Sequence, residues 1–305
     1  MMRRILPMLA LGLLVCAGAL AEGVPMDRLD VTLYFRFGQT DRLGVQRASI
    51  DLRREETVAT LIAQRLIEGP TRGDARLSGL FPQETRLISA QGDGRTAFIT
   101  LSRAFLGRPV GAPADWETKP TWTREAALRR RLAFQSLVLA LTEDGRYQRV
   151  QLYIADNDDA VPERIPMRYL NPDETKLDLR LAACGRDESS LLTQRDALAA
   201  VMEAWKAQDW ERAWPFLSET SEAGLGQKSA FQREIEGLGV LLLRYTLTPG
   251  SVSPDGQRAT LVLDATIRSE KGGEAELIRE SVPLFREADN WVMAKETLLR
   301  LMIRD

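Results

Sequence analysis

The sequence has no histidine and only two cysteines among its 305 residues. Without an imidazole the chain cannot form a Ser-His-Asp or Cys-His catalytic arrangement, and histidine is excluded as a general base and as a metal ligand. If the segment containing Cys16 is removed on export, Cys184 is the last thiol and has no intramolecular disulfide partner. Packing must therefore stabilise the fold, and we expect neither a metal ion nor a cofactor.

A strong charge of either sign is also missing. The chain has 41 basic and 43 acidic residues, which gives a formal net charge of −2. This balance provides no global positive field that would attract nucleic acid or an anionic membrane. After the N-terminal segment, charged residues interrupt each apolar run before it reaches the roughly 20 residues that span a bilayer. We expect no nucleic-acid partner, and membrane contact only through an N-terminal anchor.

Residues 1–21 have the pattern of a signal peptide. Arg3 and Arg4 form a short basic start, residues 5–18 are apolar, and Ala19-Leu20-Ala21 is a small-x-small cleavage site. We expect cleavage before Glu22 and export to the periplasm or cell envelope.

Cys16 is a candidate lipidation site, because a cysteine late in such an apolar segment can carry a membrane anchor. A bacterial lipoprotein signal resembles Leu-Ala-Gly-Cys, whereas here the β-branched Val15 precedes the cysteine. Free secretion, with Cys16 discarded, is therefore favoured, and lipid anchoring is the alternative.

The apolar periodicity divides the chain into two domains. Residues 28–156 form the first domain, residues 157–190 a polar and proline-containing linker, and residues 191–305 the second domain. In the first domain, period-two strands alternate with helical stripes in the order ββαββαβ. This order predicts an α+β fold in which two helices pack on one face of a mixed sheet.

The second domain begins with helices and ends with strands. Thr193 and Asp196 resemble a capping box, and apolar stripes then indicate three helices. Four strands follow, the last over residues 291–299, with turn-forming residues between them. We predict a cone-shaped α+β domain whose helices lie on one face of a curved antiparallel sheet.

Five segments of the first domain form a recognisable series. They are Val31-Thr32-Leu33-Tyr34-Phe35, Leu66-Ile67-Glu68-Gly69-Pro70, Phe81-Pro82-Gln83-Glu84-Thr85, residues 97–105 and residues 135–142. In this order they resemble the GerMN domain of bacterial sporulation and spore-germination proteins. The loop at residues 107–123 is longer than this pattern requires. The second domain is similar, in element order and in its tryptophan-bearing helices, to the nuclear transport factor two-like superfamily.

The GerMN resemblance implies association with envelope proteins or with further copies of the chain, and it carries over no catalytic residues. We therefore predict a non-catalytic interaction or assembly module, in sporulation or germination, rather than an enzyme. An open sheet face or edge strand would provide the contact surface. The opposing interpretation is a monomer whose sheet is covered by the second domain.

An alternative function is small-molecule binding, or less plausibly catalysis, in a pocket of the second domain. The candidate pocket residues are Trp205, Trp210, Trp214, Tyr245 and Trp291. Large rings at helical spacing are more often core residues, so packing is the competing interpretation. Asp264 is the available acid on a neighbouring strand, but its alternation with apolar residues favours solvent exposure.

Two charged runs have the same simple interpretation. Arg129-Arg130-Arg131 spreads around a helix and is interpreted as a solvated face, with a phosphate or anionic-lipid contact as the alternative. Residues 156–159 are acidic, but they lack the ligand series of a calcium-binding loop. We interpret them as linker polarity.

Overall fold

A computed structural model describes residues 27–303 except residues 53–55, 72–73, 219–227 and 270–272. The predicted signal peptide and Cys16 lie outside the described residues. The elements up to residue 190 are β1 (Asp27–Phe37), β2 (Leu43–Leu52), α1 (Val58–Glu68), β3 (Leu77–Ser78), β4 (Leu87–Asp93), β5 (Thr96–Ser102), α2 (Pro120–Thr142), β6 (Arg149–Ala155), β7 (Glu163–Arg164) and β8 (Cys184–Gly185). Those that follow are α3 (Gln194–Ala207), α4 (Trp210–Ala213), α5 (Lys228–Leu238), β9 (Val240–Val252), β10 (Arg258–Ser269), β11 (Gly273–Glu287), β12 (Asn290–Val292) and α6 (Lys295–Met302).

The predicted α+β class and the order of the main elements in the first domain are confirmed. Its strands, however, form two sheets instead of one. One sheet has the order β2-β1-β3, and the other has β4-β5-β6-β7, with β8 also paired to β6. Strand β1 pairs with β2 over residues 27–36 and with β3 at residues 36–37, and within the described ranges it pairs with no strand of the second sheet. The second sheet is mixed because β5 and β6 run parallel.

Helix α2 packs along β1 and begins at Pro120, whose fixed φ suits the first helical position. The predicted burial of Phe134 and Val138 on this helix is confirmed. Between them, the Ser136 hydroxyl donates a 2.6 Å hydrogen bond to the carbonyl of Tyr34 in β1. The apolar stripe of α2 therefore covers β1 in the predicted register.

The segment at residues 157–190 packs on the first domain. Its strands β7 and β8 pair with β6, and its Arg186 forms a 2.7 Å ion pair with Glu143 at the end of α2. Glu143 also accepts a 2.7 Å hydrogen bond from the Tyr34 hydroxyl. Burial, together with this hydrogen bond, raises the pKa of Tyr34 to about 12.

The second domain has the predicted helices followed by a curved antiparallel half-barrel, with the strand order β12-β11-β10-β9. The predicted capping box of Thr193 and Asp196 opens α3. The predicted strand at residues 291–299 is wrong, because β12 ends at Val292 and α6 follows. Leu298, Leu301 and Met302 are buried, and their spacing of three and four residues is that of a helix face.

The two domains are joined through the edge of β2. Asn290 in β12 is 2% exposed, and its side chain makes both hydrogen bonds that a neighbouring strand would make with Val45. The Val45 amide donates to Asn290 Oδ1 at 2.7 Å, and Asn290 Nδ2 donates to the Val45 carbonyl at 2.9 Å. Next to this pair, the Leu192 amide donates to the carbonyl of Leu43 at 2.9 Å. Residues 43–45 of the edge strand are therefore already paired within the chain.

Gly44 allows this close approach. A Cβ atom at Gly44 would lie 2.6 Å from the Phe37 ring and 2.7 Å from Asn290 Oδ1, so a larger residue cannot fit without displacement. The Phe37 and Phe216 rings pack with centroids 5.1 Å apart across the junction. The buried hydrophobic residues of the two domains form one continuous core across this junction.

We expect Asn290→Ala to lower the free energy of unfolding by about 1–3 kcal/mol, because Val45 would keep a partly buried amide and carbonyl without their partner. Urea unfolding checks this. Gln257→Ala is the control, because this amide side chain is exposed and has no hydrogen bond within the described residues, and it should change stability by less than about 0.5 kcal/mol. Equal stability of the two variants would contradict this account of the junction.

Candidate binding surface

The predicted pocket residues of the second domain are mostly buried. Trp205 is fully buried and donates a 2.9 Å hydrogen bond from Nε1 to the Val240 carbonyl. Trp210 and Trp291 are each 5% exposed, and the half-buried Trp214 packs on Phe231 with ring centroids 6.0 Å apart. These four tryptophans have the burial and contacts expected of core residues.

Tyr245 lines a depression of about 220 Å³ on the sheet, together with Asp264. Its hydroxyl donates a 2.7 Å hydrogen bond to Glu203 of α3, and burial followed by this bond raises the pKa of Tyr245. Asp264 Oδ1 accepts a 2.8 Å hydrogen bond from the backbone amide of Arg279, whose φ is +52°. Asp264 therefore anchors a bulge between β10 and β11, a structural role that accounts for its position.

A larger groove lies on the first domain, between the turn after β1 and the first turns of α2. It has a volume of about 870 Å³. The residues that line it are Arg36, Gly38, Gln39, Asp41, Ser78, Thr121, Trp122, Arg124, Glu125, Leu128, Arg129 and Arg131. Four of these residues are arginines in a chain whose net charge is negative. We call this surface the arginine groove.

Glu125 pairs with two of the four arginines. Arg36 is 7% exposed and donates to both carboxylate oxygens of Glu125, and it also donates at 2.7 Å to the Thr40 carbonyl. Arg129 donates to Glu125 at 2.6 Å. Burial alone would raise the pKa of Glu125, but the hydrogen bonds from the two guanidinium groups hold it below its usual value. The floor of the groove is thus a fixed, ionised network.

The side chains of Arg124 and Arg131 are available to bind a partner. Both are exposed, and within the described part of the chain neither has an ion-pair or hydrogen-bond partner for its side chain. They are seven residues apart on α2, so they lie on one face about 10 Å apart along the axis. The half-buried Leu128 lies between them and Trp122 lies at the end of the groove. This face offers two guanidinium groups for carboxylate pairing and an apolar surface between them.

The interpretation of Arg129-Arg130-Arg131 as a solvated face is wrong for Arg130. Its side chain is 6% exposed and donates to the carbonyls of Leu106 and Gly107 at 2.6 and 3.2 Å. Its guanidinium carbon lies 5.6 Å from the ring centroids of Trp116 and Tyr169. Burial lowers the pKa of Arg130 to about 10, so the group stays charged at neutral pH.

Arg130 also fixes the position of the long loop at residues 107–123. Because Trp116 of that loop stacks on the buried guanidinium of Arg130, the loop packs against α2. Charge patterning alone did not distinguish Arg130 from its neighbours. Its place on the same helical stripe as the buried Ala126, Ala127 and Ala133 is the signal that could have done so.

Among the residues that the structure describes, no three histidine, cysteine, aspartate or glutamate side chains could hold a metal ion together. Residues 156–159 form an exposed loop after β6, where Asp156 pairs with Arg103. Across the same residues, no helix is long and apolar enough to cross a membrane.

The first domain has a family match. The model of the family described as Germane, sporulation and spore germination, matches residues 32–160. These residues therefore form a GerMN-like domain, and the match suggests a role related to sporulation or germination. No curated protein matches the chain.

Two solved structures from Bacillus subtilis show distant similarity. The tandem GerMN domains of the sporulation protein GerM are 13% identical, with a TM-score of 0.34, over 54% of this chain and 46% of that chain. The first GerMN domain of GerM is 16% identical, with a TM-score of 0.28, over 55% of this chain and 99% of that one. This chain thus spans less than half the length of the tandem-domain structure. The similarity of the second domain to the nuclear transport factor two-like superfamily stays a prediction.

We expect Arg130→Lys to lower the free energy of unfolding by about 1–3 kcal/mol, because a lysine keeps the charge but loses the planar fork that reaches two carbonyls. The adjacent Arg131→Lys is the matched control, since Arg131 is exposed, and it should stay within about 0.5 kcal/mol of the wild type. Urea unfolding of both variants tests the role of Arg130, and similar stabilities would refute it.

Proposed function

We propose that the protein is an exported, non-catalytic interaction module that acts in sporulation or germination by binding envelope proteins or further copies of itself. The binding surface is the arginine groove of the GerMN-like domain. One observation carries the proposal, namely the guanidinium groups of Arg124 and Arg131, which flank Leu128 in an open groove and have no partner among the described residues. Exposed, unpaired arginines beside apolar side chains are typical of protein interaction sites.

The domain junction supports this choice of surface. Part of the β2 edge is closed by Asn290 and by the chain at residue 192, so this part of the strand is not available for pairing. The groove lies at the turn after β1, where a Cβ atom at Gly38 would lie 3.4 Å from Pro215 of the second domain. The second domain therefore lies beside this turn, while Thr121, Arg124 and Arg131 of α2 stay exposed.

The export part of the proposal rests on the N-terminal sequence. We expect the mature protein to begin at Glu22, after the small-x-small site at residues 19–21. N-terminal sequencing of the protein from its native host tests this expectation. A blocked, lipid-modified Cys16 would contradict it and would show that the protein is anchored to a membrane.

Site-specific photo-cross-linking in the native host during sporulation tests the binding surface. A photoreactive residue at Thr121, which is exposed and lines the arginine groove, should form adducts with a defined protein, which is either another envelope protein or the chain itself. The control position is Ile278, which is 66% exposed on the sheet of the second domain. Adducts from Ile278 without adducts from Thr121 would overturn the proposed surface.

A further inference from the structure

The loop after β6 complements the arginine groove. Asp158 and Asp159 are exposed and, in the part of the chain that the structure describes, their carboxylates have no partner. Val161 is 85% exposed, more than any other large hydrophobic side chain in the described ranges. The two aspartate carboxylates of the loop are opposite in charge to the two exposed guanidinium groups of the groove. The exposed Val161 corresponds to the apolar side chains of Leu128 and Trp122.

The loop and the groove lie at the same end of the GerMN-like domain. Arg130 of α2 donates to the carbonyls of Leu106 and Gly107, just beyond β5. Arg103, in the same segment, pairs with Asp156 at the end of β6. Since β5 and β6 are parallel, both strands end beside the N-terminal half of α2, which contains Arg130. A copy related by a two-fold axis can therefore place its loop in this groove and receive the other loop in its own.

We propose that the arginine groove is occupied by residues 158–161 of a second copy of this chain, so that two copies associate through two equivalent contacts. This inference rests on the proposed function of the groove as a binding surface. The open arginines pair with the two aspartates, and the apolar residues of the groove cover Val161. Because both contacts are charge-dependent, the association weakens as salt is added.

The groove favours a polypeptide over a continuous polyanion such as a phosphate polymer. The exposed Asp41 also lines the groove, so a chain of uninterrupted negative charge would be repelled at this position. Trp122 and Leu128 provide apolar surface that a segment containing a valine can cover, whereas a phosphate chain cannot. Residues 158–161 combine two carboxylates with one exposed valine and satisfy both conditions.

Charge exchange between two variants of the exported chain tests this inference. Arg124→Glu with Arg131→Glu reverses the groove, and Asp158→Lys with Asp159→Lys reverses the loop. In sedimentation velocity, each variant alone should have a dimer dissociation constant raised roughly 10-fold or more, because like charges face each other at both contacts. An equimolar mixture should return to within about 3-fold of the wild type, because opposite charges then meet at both contacts.

The matched control is Arg95→Glu with Arg212→Glu, which makes the same change in net charge at two exposed arginines away from the groove. This control should associate like the wild type. A wild-type chain that stays monomeric, or a mixture that associates no better than its components, overturns the inference. If the protein is monomeric but a photoreactive residue at Thr121 still cross-links to a different protein, the proposed function stands and only the identity of the groove's occupant is wrong.

Discussion

The side-chain amide of Asn290 is the interaction on which the arrangement of the two domains depends. It occupies the place of a neighbouring strand at Val45, with hydrogen bonds of 2.7 and 2.9 Å, and thereby joins the outer strand of one sheet to the outer strand of another. The missing side chain of Gly44 makes room for this contact. The part of this sheet edge at residues 43–45 is thereby paired within the chain and is not available for intermolecular pairing.

Burial divides the arginines of the GerMN-like domain into two groups with different roles. Arg36 and Arg130 lie inside the protein, where carboxylate or carbonyl oxygens and aromatic rings compensate their charge. They fix the turn after β1 and the long loop against α2. Arg124 and Arg131 lie on the same helix but face solvent without partners in the described residues. The fixed arginines shape the groove, and the open ones supply its charge.

Most of the secondary structure follows from the sequence, because the apolar stripe of α2, the alternation in β1 and the capping box at Thr193 are local patterns that the packing reinforces. The error at residues 291–299 arose because a short strand and a short helix follow each other there with only two residues between them, and periodicity over so few residues does not divide them. The partners of Asn290 and Arg130 are distant in sequence, so no local pattern could predict these contacts, although the helical stripe of Arg130 could have indicated its burial. The groove was missed for the same reason, since β1 and α2 form it together.

Hydrogen exchange measured at increasing protein concentration tests the central claim that the arginine groove is the surface of association. The account predicts that exchange slows together in peptides covering residues 120–131 and 156–162, while peptides from the exposed face of β10 and β11 keep their rates. Slower exchange on that sheet face, with no change on α2, would contradict the account and would place the contact on the second domain.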